Sequence, residues 1–234
     1  PADIDALIAG IVDVRSAGGR RVGIIPGVRD ALSVDVMRGE ETQVIGALTL
    51  RPELATHVQL LVPGTHSKWI EVRDGRIARL ATMMTGELYA VLRQHSILGA
   101  GIPDTASSVL DTDAFEIGVR AARDSAAAGA LTRLFSARAL MLDGRLAPDV
   151  VPDYLSGLLI GEELRAGLAS GWLRSDTALL LAGDELLCAR YRRAMKSFNL
   201  PEADTVLDAS ARGLWRIGRA AALVGEAAPV FGEH

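Results

Sequence analysis

After Val62 the chain reads Pro63-Gly64-Thr65-His66-Ser67-Lys68, placing a glycine, two hydroxyls, an imidazole and an ammonium side by side. Glycine lets a backbone come close to a guest, so a turn of this composition can aim N–H groups and a hydroxyl at an anion. Phosphate is the natural guest, and Lys68 could offset charge that moves during transfer of a phosphoryl group. The spacing is not the Gly-x-x-x-x-Gly-Lys-Ser/Thr of a P-loop, and a polar turn with solvated Ser67 and Lys68 is the plainer alternative.

A second group, Met37-Arg38-Gly39-Glu40-Glu41-Thr42-Gln43, opens a helix with two adjacent carboxylates. Glu40 or Glu41 could take a proton from a substrate hydroxyl as general base, and Arg38 could pair with an acidic group of the substrate. Acids that merely favour a helix N-terminus are the competing explanation. At Thr82-Met83-Met84-Thr85-Gly86-Glu87 a strand passes into a helix, where Thr85 reads first as an N-cap and Glu87 as a first-turn acid. Contact of these two with a substrate hydroxyl is the sharper option. Leu179-Leu180-Leu181-Ala182-Gly183-Asp184 gives a strand, a glycine and a helix start, where a nucleoside can pack on bare backbone at Gly183. Asp184 and Glu185 would repel a phosphate set directly on that helix end. His57, His95 and His234 lack any mutual spacing for a metal site, and nothing catalytic is assigned to Cys188.

These groups need elements to carry them. Residues 22–26 read as a short buried strand, and a helix is expected from about Ser33 or Arg38 to Leu48, stopped by Arg51-Pro52. Val58 to Val62, Lys68 to Val72 and Arg76 to Ala81 form three strands, the last two joined by an Asp74-Gly75 turn. The following helix sets Leu88, Val91, Leu92, His95 and Leu98 on one face, with Thr85 available as its cap. Residues 113–142 read as helical and alanine-rich, and 153–169 as a helix whose Ser156, Gly157 and Gly161 invite close approach by a neighbour. A strand over 177–182, a helix over 185–198, a strand over 204–207 and a closing helix over 209–224 complete an α/β pattern. Trp69, Trp172 and Trp215 are expected in the core or at an interface.

With 234 residues, 49% hydrophobic and 23% charged, the chain suits a globular protein with a filled core. Its net charge of −4 has no long basic run, so nucleic acid is not an expected partner. A single cysteine precludes an internal disulfide and a cysteine-cluster metal site and fits a reducing compartment, so the expected location is cytoplasmic. No apolar run approaches the roughly 20 residues that span a bilayer, and no membrane partner is expected.

Several of these segments recur together in one known family. Met37 to Gln43, Pro63 to Trp69, Met84-Thr85-Gly86-Glu87-Leu88, His95-Ser96-Ile97-Leu98-Gly99 and Tyr154-Leu155-Ser156-Gly157-Leu158-Leu159-Ile160-Gly161 resemble the 2-dehydro-3-deoxygalactonokinases. The match runs through nearly the whole chain. It implies a sugar kinase related to actin and Hsp70 chaperones, with two lobes of ribonuclease-H-like topology and ATP in the cleft between them. The implied reaction phosphorylates the terminal 6-hydroxyl of a 2-keto-3-deoxy sugar acid. Kinases of the gluconate epimer and a non-catalytic sugar-acid or nucleotide-binding module stand as alternatives.

By that resemblance, Gly64, Thr65 and His66 form the second phosphate hairpin with Lys68 as helper, Glu40 or Glu41 is the base, and Gly183 is the adenosine-motif glycine. Arg38, Thr85 and Glu87 are the expected substrate contacts. No protein metal site is implied, since Mg²⁺ would be held mainly by nucleotide phosphates and water. The superfamily's first phosphate hairpin, Asp-x-Gly-Thr on the first two strands, does not occur before Val22, so much of the N-terminal lobe is expected to be missing. Residues 1–52 would then be the C-terminal part of the first lobe, and 53–234 the second lobe. The resemblance leaves room for a homodimer.

Overall fold

The computed structural model describes residues 2–103, 109–174 and 177–225. Helix α1 (Ile4–Ala9) precedes two short antiparallel ribbons, β1 (Val12–Arg15) with β2 (Arg21–Ile24), and β3 (Val28–Asp30) with β4 (Asp35–Met37). Helix α2 (Glu40–Leu50) leads into an antiparallel meander of β5 (His57–Val62), β6 (Ser67–Arg73) and β7 (Arg76–Met83). Helices α3 (Thr85–His95), α4 (Thr112–Arg123), α5 (Ser136–Leu142) and α6 (Val151–Ala169) follow. Strand β8 (Ala178–Ala182), helix α7 (Glu185–Ser197), strand β9 (Asp204–Val206) and helix α8 (Ala209–Ala220) complete the described chain.

The main sheet is five-stranded and mixed, in the order β7-β6-β5-β8-β9. Strand β6 is antiparallel to both its neighbours, while β5, β8 and β9 run parallel. Because helices cover both faces, β5 is apolar almost throughout instead of alternating. Val58, Leu60 and Val62 meet Val44 and Ala47 of α2 and Ala209 of α8 on one face. On the other, Leu61 and Trp69 meet Phe115 and Val119 of α4, Ile160 and Leu164 of α6, and Tyr191 of α7. Trp69 and Trp172 are buried, as the sequence predicts.

Two helix crossings set the frame of the site. At α2 on α8, a Cβ on Gly46 would run into the carbonyl of Ala209, and one on Gly213 into that of Thr42, so the backbones touch. At α4 on α6, Gly118 abuts the Tyr154 carbonyl and Gly157 that of Phe115. Helix α4 is thus the close neighbour that the small residues of 153–169 anticipate.

Other expectations need correcting. The helix expected from Ser33 or Arg38 begins at Glu40, because 28–37 form the β3–β4 ribbon. The strand expected over 22–26 is instead Arg21–Ile24, paired only with β1 and largely exposed. Residues 113–142 are not continuously helical: the Ser125 hydroxyl turns back to the Ala122 carbonyl at 2.6 Å, and Gly129 at φ +70° diverts the chain. The expected apolar face of α3 is not buried either, with Leu88 38% and Val91 45% exposed. That helix rests on Leu155 and Leu159 of α6 through Tyr89 and Leu92. His234 lies outside the described residues.

Candidate active site

The parallel strands β5, β8 and β9 end on the same side of the sheet, the side on which open α/β sheets bind ligands. There the Pro63–His66 turn after β5 faces the N-terminus of α2, which contributes Gly39, Glu40, Thr42 and Gln43, and Ser210 in the first turn of α8. Together they enclose a cleft of about 460 Å³. A larger cavity of about 900 Å³ opens between α4 and α7 over Arg190, Arg193 and Lys196, but no candidate residue from the sequence lines it.

The cleft separates the two glutamates. Glu40 lines it, half-buried, with Oε2 accepting from the Arg38 amide at 3.0 Å. Glu41 is buried and folded back on its own helix end, accepting from the Gly39 amide at 2.7 Å. Burial pushes the Glu41 carboxyl above the usual carboxylate range. Gly39 is the N-cap at φ +113°, a left-handed conformation that glycine adopts without strain.

The opposite wall is tied to α3. The Glu87 amide donates to the Thr65 carbonyl at 2.9 Å, and the Glu87 carboxylate meets His66 Nε2. Between them Gly86 lies so close to the turn that a Cβ would be 2.7 Å from Thr65 Cα and would collide with the Gly64 carbonyl. Gly183, at φ +148°, packs beside Pro63, and its own Cβ would be 3.6 Å from the Pro63 carbonyl. The strand end expected to meet a nucleoside therefore adjoins the turn expected to meet phosphate.

Further expected residues lie off the cleft lining, as Glu41, Glu87 and Gly183 do. Lys68 does not line the cleft, because it already belongs to β6. Its buried ammonium donates to the Val36 carbonyl at 2.8 Å and Thr82 Oγ1 at 2.7 Å, fastening β4 to β7. Thr85 is not the cap of α3. Met84 occupies that position without a side-chain capping bond, and the Thr85 hydroxyl donates to Glu163 Oε2. Arg38 is exposed beside Gly39 and is not part of the cleft lining.

With this geometry in place, known proteins can be compared. The family model for 2-keto-3-deoxy-galactonokinase matches residues 1–217. The chain belongs to that family. It is 34% identical over 217 residues to the 2-dehydro-3-deoxygalactonokinase of Escherichia coli K12, covering 90% of this chain and 70% of that protein. It is 37% identical over 207 residues to "Probable 2-dehydro-3-deoxygalactonokinase DgoK1" of Rhizobium meliloti, covering 84% of this chain and 66% of that one. The crystal structure of "a putative 2-dehydro-3-deoxygalactonokinase protein from Sinorhizobium meliloti" superposes with a TM-score of 0.80 at 33% identity, over 94% of this chain and 72% of its own.

Within this galactonokinase family member, sequence reasoning missed three residues at or behind the site. Gln43 lines the cleft and its Oε1 is buried with no hydrogen-bond partner. Ser210 comes from α8, far along the chain, and carries no local signal. Glu163 sits behind the turn, and its signal is faint, one of two adjacent carboxylates on a helix most of whose residues are buried. The lone cysteine, Cys188, is buried under α4 and α6, which pushes its thiol up to about 11 and removes it from the chemistry.

Among the described residues no group of three or more His, Cys, Asp or Glu could hold a metal ion. The cleft offers one carboxylate and several hydroxyls, a donor set that suits a metal carried in on phosphates and water better than an all-protein cage. No described helix is long and apolar enough to cross a membrane.

Proposed function

We propose that this cleft transfers the terminal phosphoryl group of ATP to the 6-hydroxyl of 2-dehydro-3-deoxy-D-galactonate. The observation that carries the reading is that Glu40 and the Gly64–His66 turn line one cleft. Glu40 accepts the proton of the attacking hydroxyl, and the Thr65 hydroxyl, with the backbone of Gly64 and His66, faces the group in transit. Gly183 supports the nucleoside, and Arg38 meets the acidic end of the sugar acid from the rim. Glu41, Lys68, Thr85 and Glu87 act behind these groups, building the walls. Mg²⁺ arriving with the nucleotide would offset phosphate charge, and Glu40 and Thr65 are the side chains that would hold its water shell. Gln43, with an orphaned carbonyl oxygen, is suited to receive a hydroxyl of the substrate.

The strand order, with the second strand of the sheet antiparallel to its neighbours, supports a ribonuclease-H-like lobe over 53–234, onto whose sheet α2 packs beside α8. Closure of two such lobes excludes water and limits wasteful hydrolysis of ATP. The protein acts in the cytoplasm. A coupled assay for ADP tests the reading: ADP should form when the galactonate-derived acid is added, and its absence ends the claim. Running the gluconate epimer in parallel ranks the two acids by kcat/KM.

A further inference from the structure

Glu163 is 2% exposed, and hydrogen-bond donors from three other elements meet at its carboxylate. Trp69 Nε1 of β6 donates to Oε1 at 2.8 Å, while Tyr191 of α7 donates to Oε2 at 2.6 Å and the Thr85 hydroxyl of α3 shares that oxygen. Tyr191 spends its one proton on Glu163, so its oxygen accepts from Ser67 Oγ at 3.0 Å, which brings the first residue of β6 into the same network. These partners are all neutral. Burial raises the Glu163 carboxyl's pKa, and the hydrogen bonds from Thr85, Tyr191 and Trp69 oppose that rise. An apolar side chain would fill this place without desolvating an ionisable group, so packing alone does not account for a carboxylate here.

What the network holds is the turn itself. Ser67 follows His66 directly, and Thr85 precedes Gly86 and Glu87, the two residues that touch Gly64, Thr65 and His66. We propose that Glu163 is a positioning residue: by fixing Thr85 it sets the first turn of α3, and that turn holds Thr65 and His66 at the cleft. The inference deepens the phosphoryl-transfer reading and rests on it for its kinetic consequences. The mechanical link from Glu163 to Thr65 stands independently of turnover.

The test uses the full chain with Glu163→Gln, Thr85→Val and Thr85→Ser. Glu87 lies in the first turn of its helix, where amides have no intrahelical acceptor, so its hydrogen-exchange protection reports the bond to Thr65. In the ligand-free protein the Glu87 amide should exchange at least about ten-fold faster in Glu163→Gln and Thr85→Val, and at the wild-type rate in Thr85→Ser. With both substrates present, kcat should fall at least about ten-fold in the first two variants with KM for the sugar acid nearly unchanged, since misplacing a turn that acts in the transition state lowers kcat. The double variant Thr85→Val/Glu163→Gln should be no slower than Glu163→Gln alone.

Unchanged Glu87 exchange in Glu163→Gln, or kcat losses that multiply in the double variant, overturns the proposal. Should Glu163→Gln not fold, the contrast between Thr85→Val and Thr85→Ser decides. An inactive wild-type protein would sink the proposed function alone, and the exchange measurement would still judge the positioning role.

Discussion

The two walls of the cleft are fastened in opposite ways. The Glu40 wall is mostly held by its own neighbours: Glu40 accepts from the Arg38 amide, Glu41 from the Gly39 amide, and the Thr42 hydroxyl donates to the Gly39 carbonyl at 2.5 Å. The Thr65 wall is held by residues distant in sequence, Gly86 and Glu87 directly and Glu163 through Thr85. Locally capped groups tolerate change elsewhere in the molecule, whereas a turn clamped from a distance inherits every disturbance of its clamps. The proposed base and the proposed phosphate turn should therefore respond differently to remote substitution.

The largest expected effect lies on the Glu40 wall. Glu40→Gln should lower kcat by about 10²–10⁴-fold as a lost general base, while Glu41→Gln, which keeps an acceptor for the Gly39 amide, should stay within a few-fold of wild type. Equal losses in the two variants would mean that the cleft does not separate their roles. Next, Gly86→Ala should push the turn from its place and lower kcat by roughly 10²-fold, with the Glu40 wall undisturbed. A kinetically silent Gly86→Ala would show that the clamp on Thr65 is dispensable.

The Glu40 wall has its own long-range ties, among them the crossing of α2 on α8. Gly213→Ala should separate those helices and cost about 1–3 kcal/mol, read as a drop of several degrees in Tm. If Tm holds and kcat alone falls, the crossing positions the wall without bearing on stability. The smallest effect concerns pH. Burial raises the carboxyl pKa of Glu41, so above its ordinary value of 4.5 the folded chain retains a proton that the unfolded chain releases. Its contribution to stability is thus greatest below that value and is lost as pH rises toward the folded pKa. Glu41→Gln should flatten this slope in urea unfolding measured from about pH 4 to 7, and a steeper slope would mean that the carboxylate is favoured in the fold.

What the sequence made legible follows the same division between local and distant. The β5 run, the Asp74-Gly75 turn and Gly183 at a strand end are written in adjacent residues, and the fold places them as expected. The β1–β2 ribbon left little trace because it buries neither face, with Val12 59% exposed, so no alternation against a core marks it. Lys68 misleads because the groups that hold its ammonium, the Val36 carbonyl and the Thr82 hydroxyl, come from other strands and leave no mark on the turn's own composition. Glu163 and Thr85 stand 78 residues apart, and no local pattern announces a bond across that separation.

Shielding of the single thiol has a practical use. Cys188 is sealed inside the protein and resists deprotonation, so alkylating reagents at neutral pH should pass it by. A cysteine introduced at Ser210, on the cleft rim, would then take a fluorophore or spin label by itself, and the natural chain could serve as its own unlabelled background for watching nucleotide arrive.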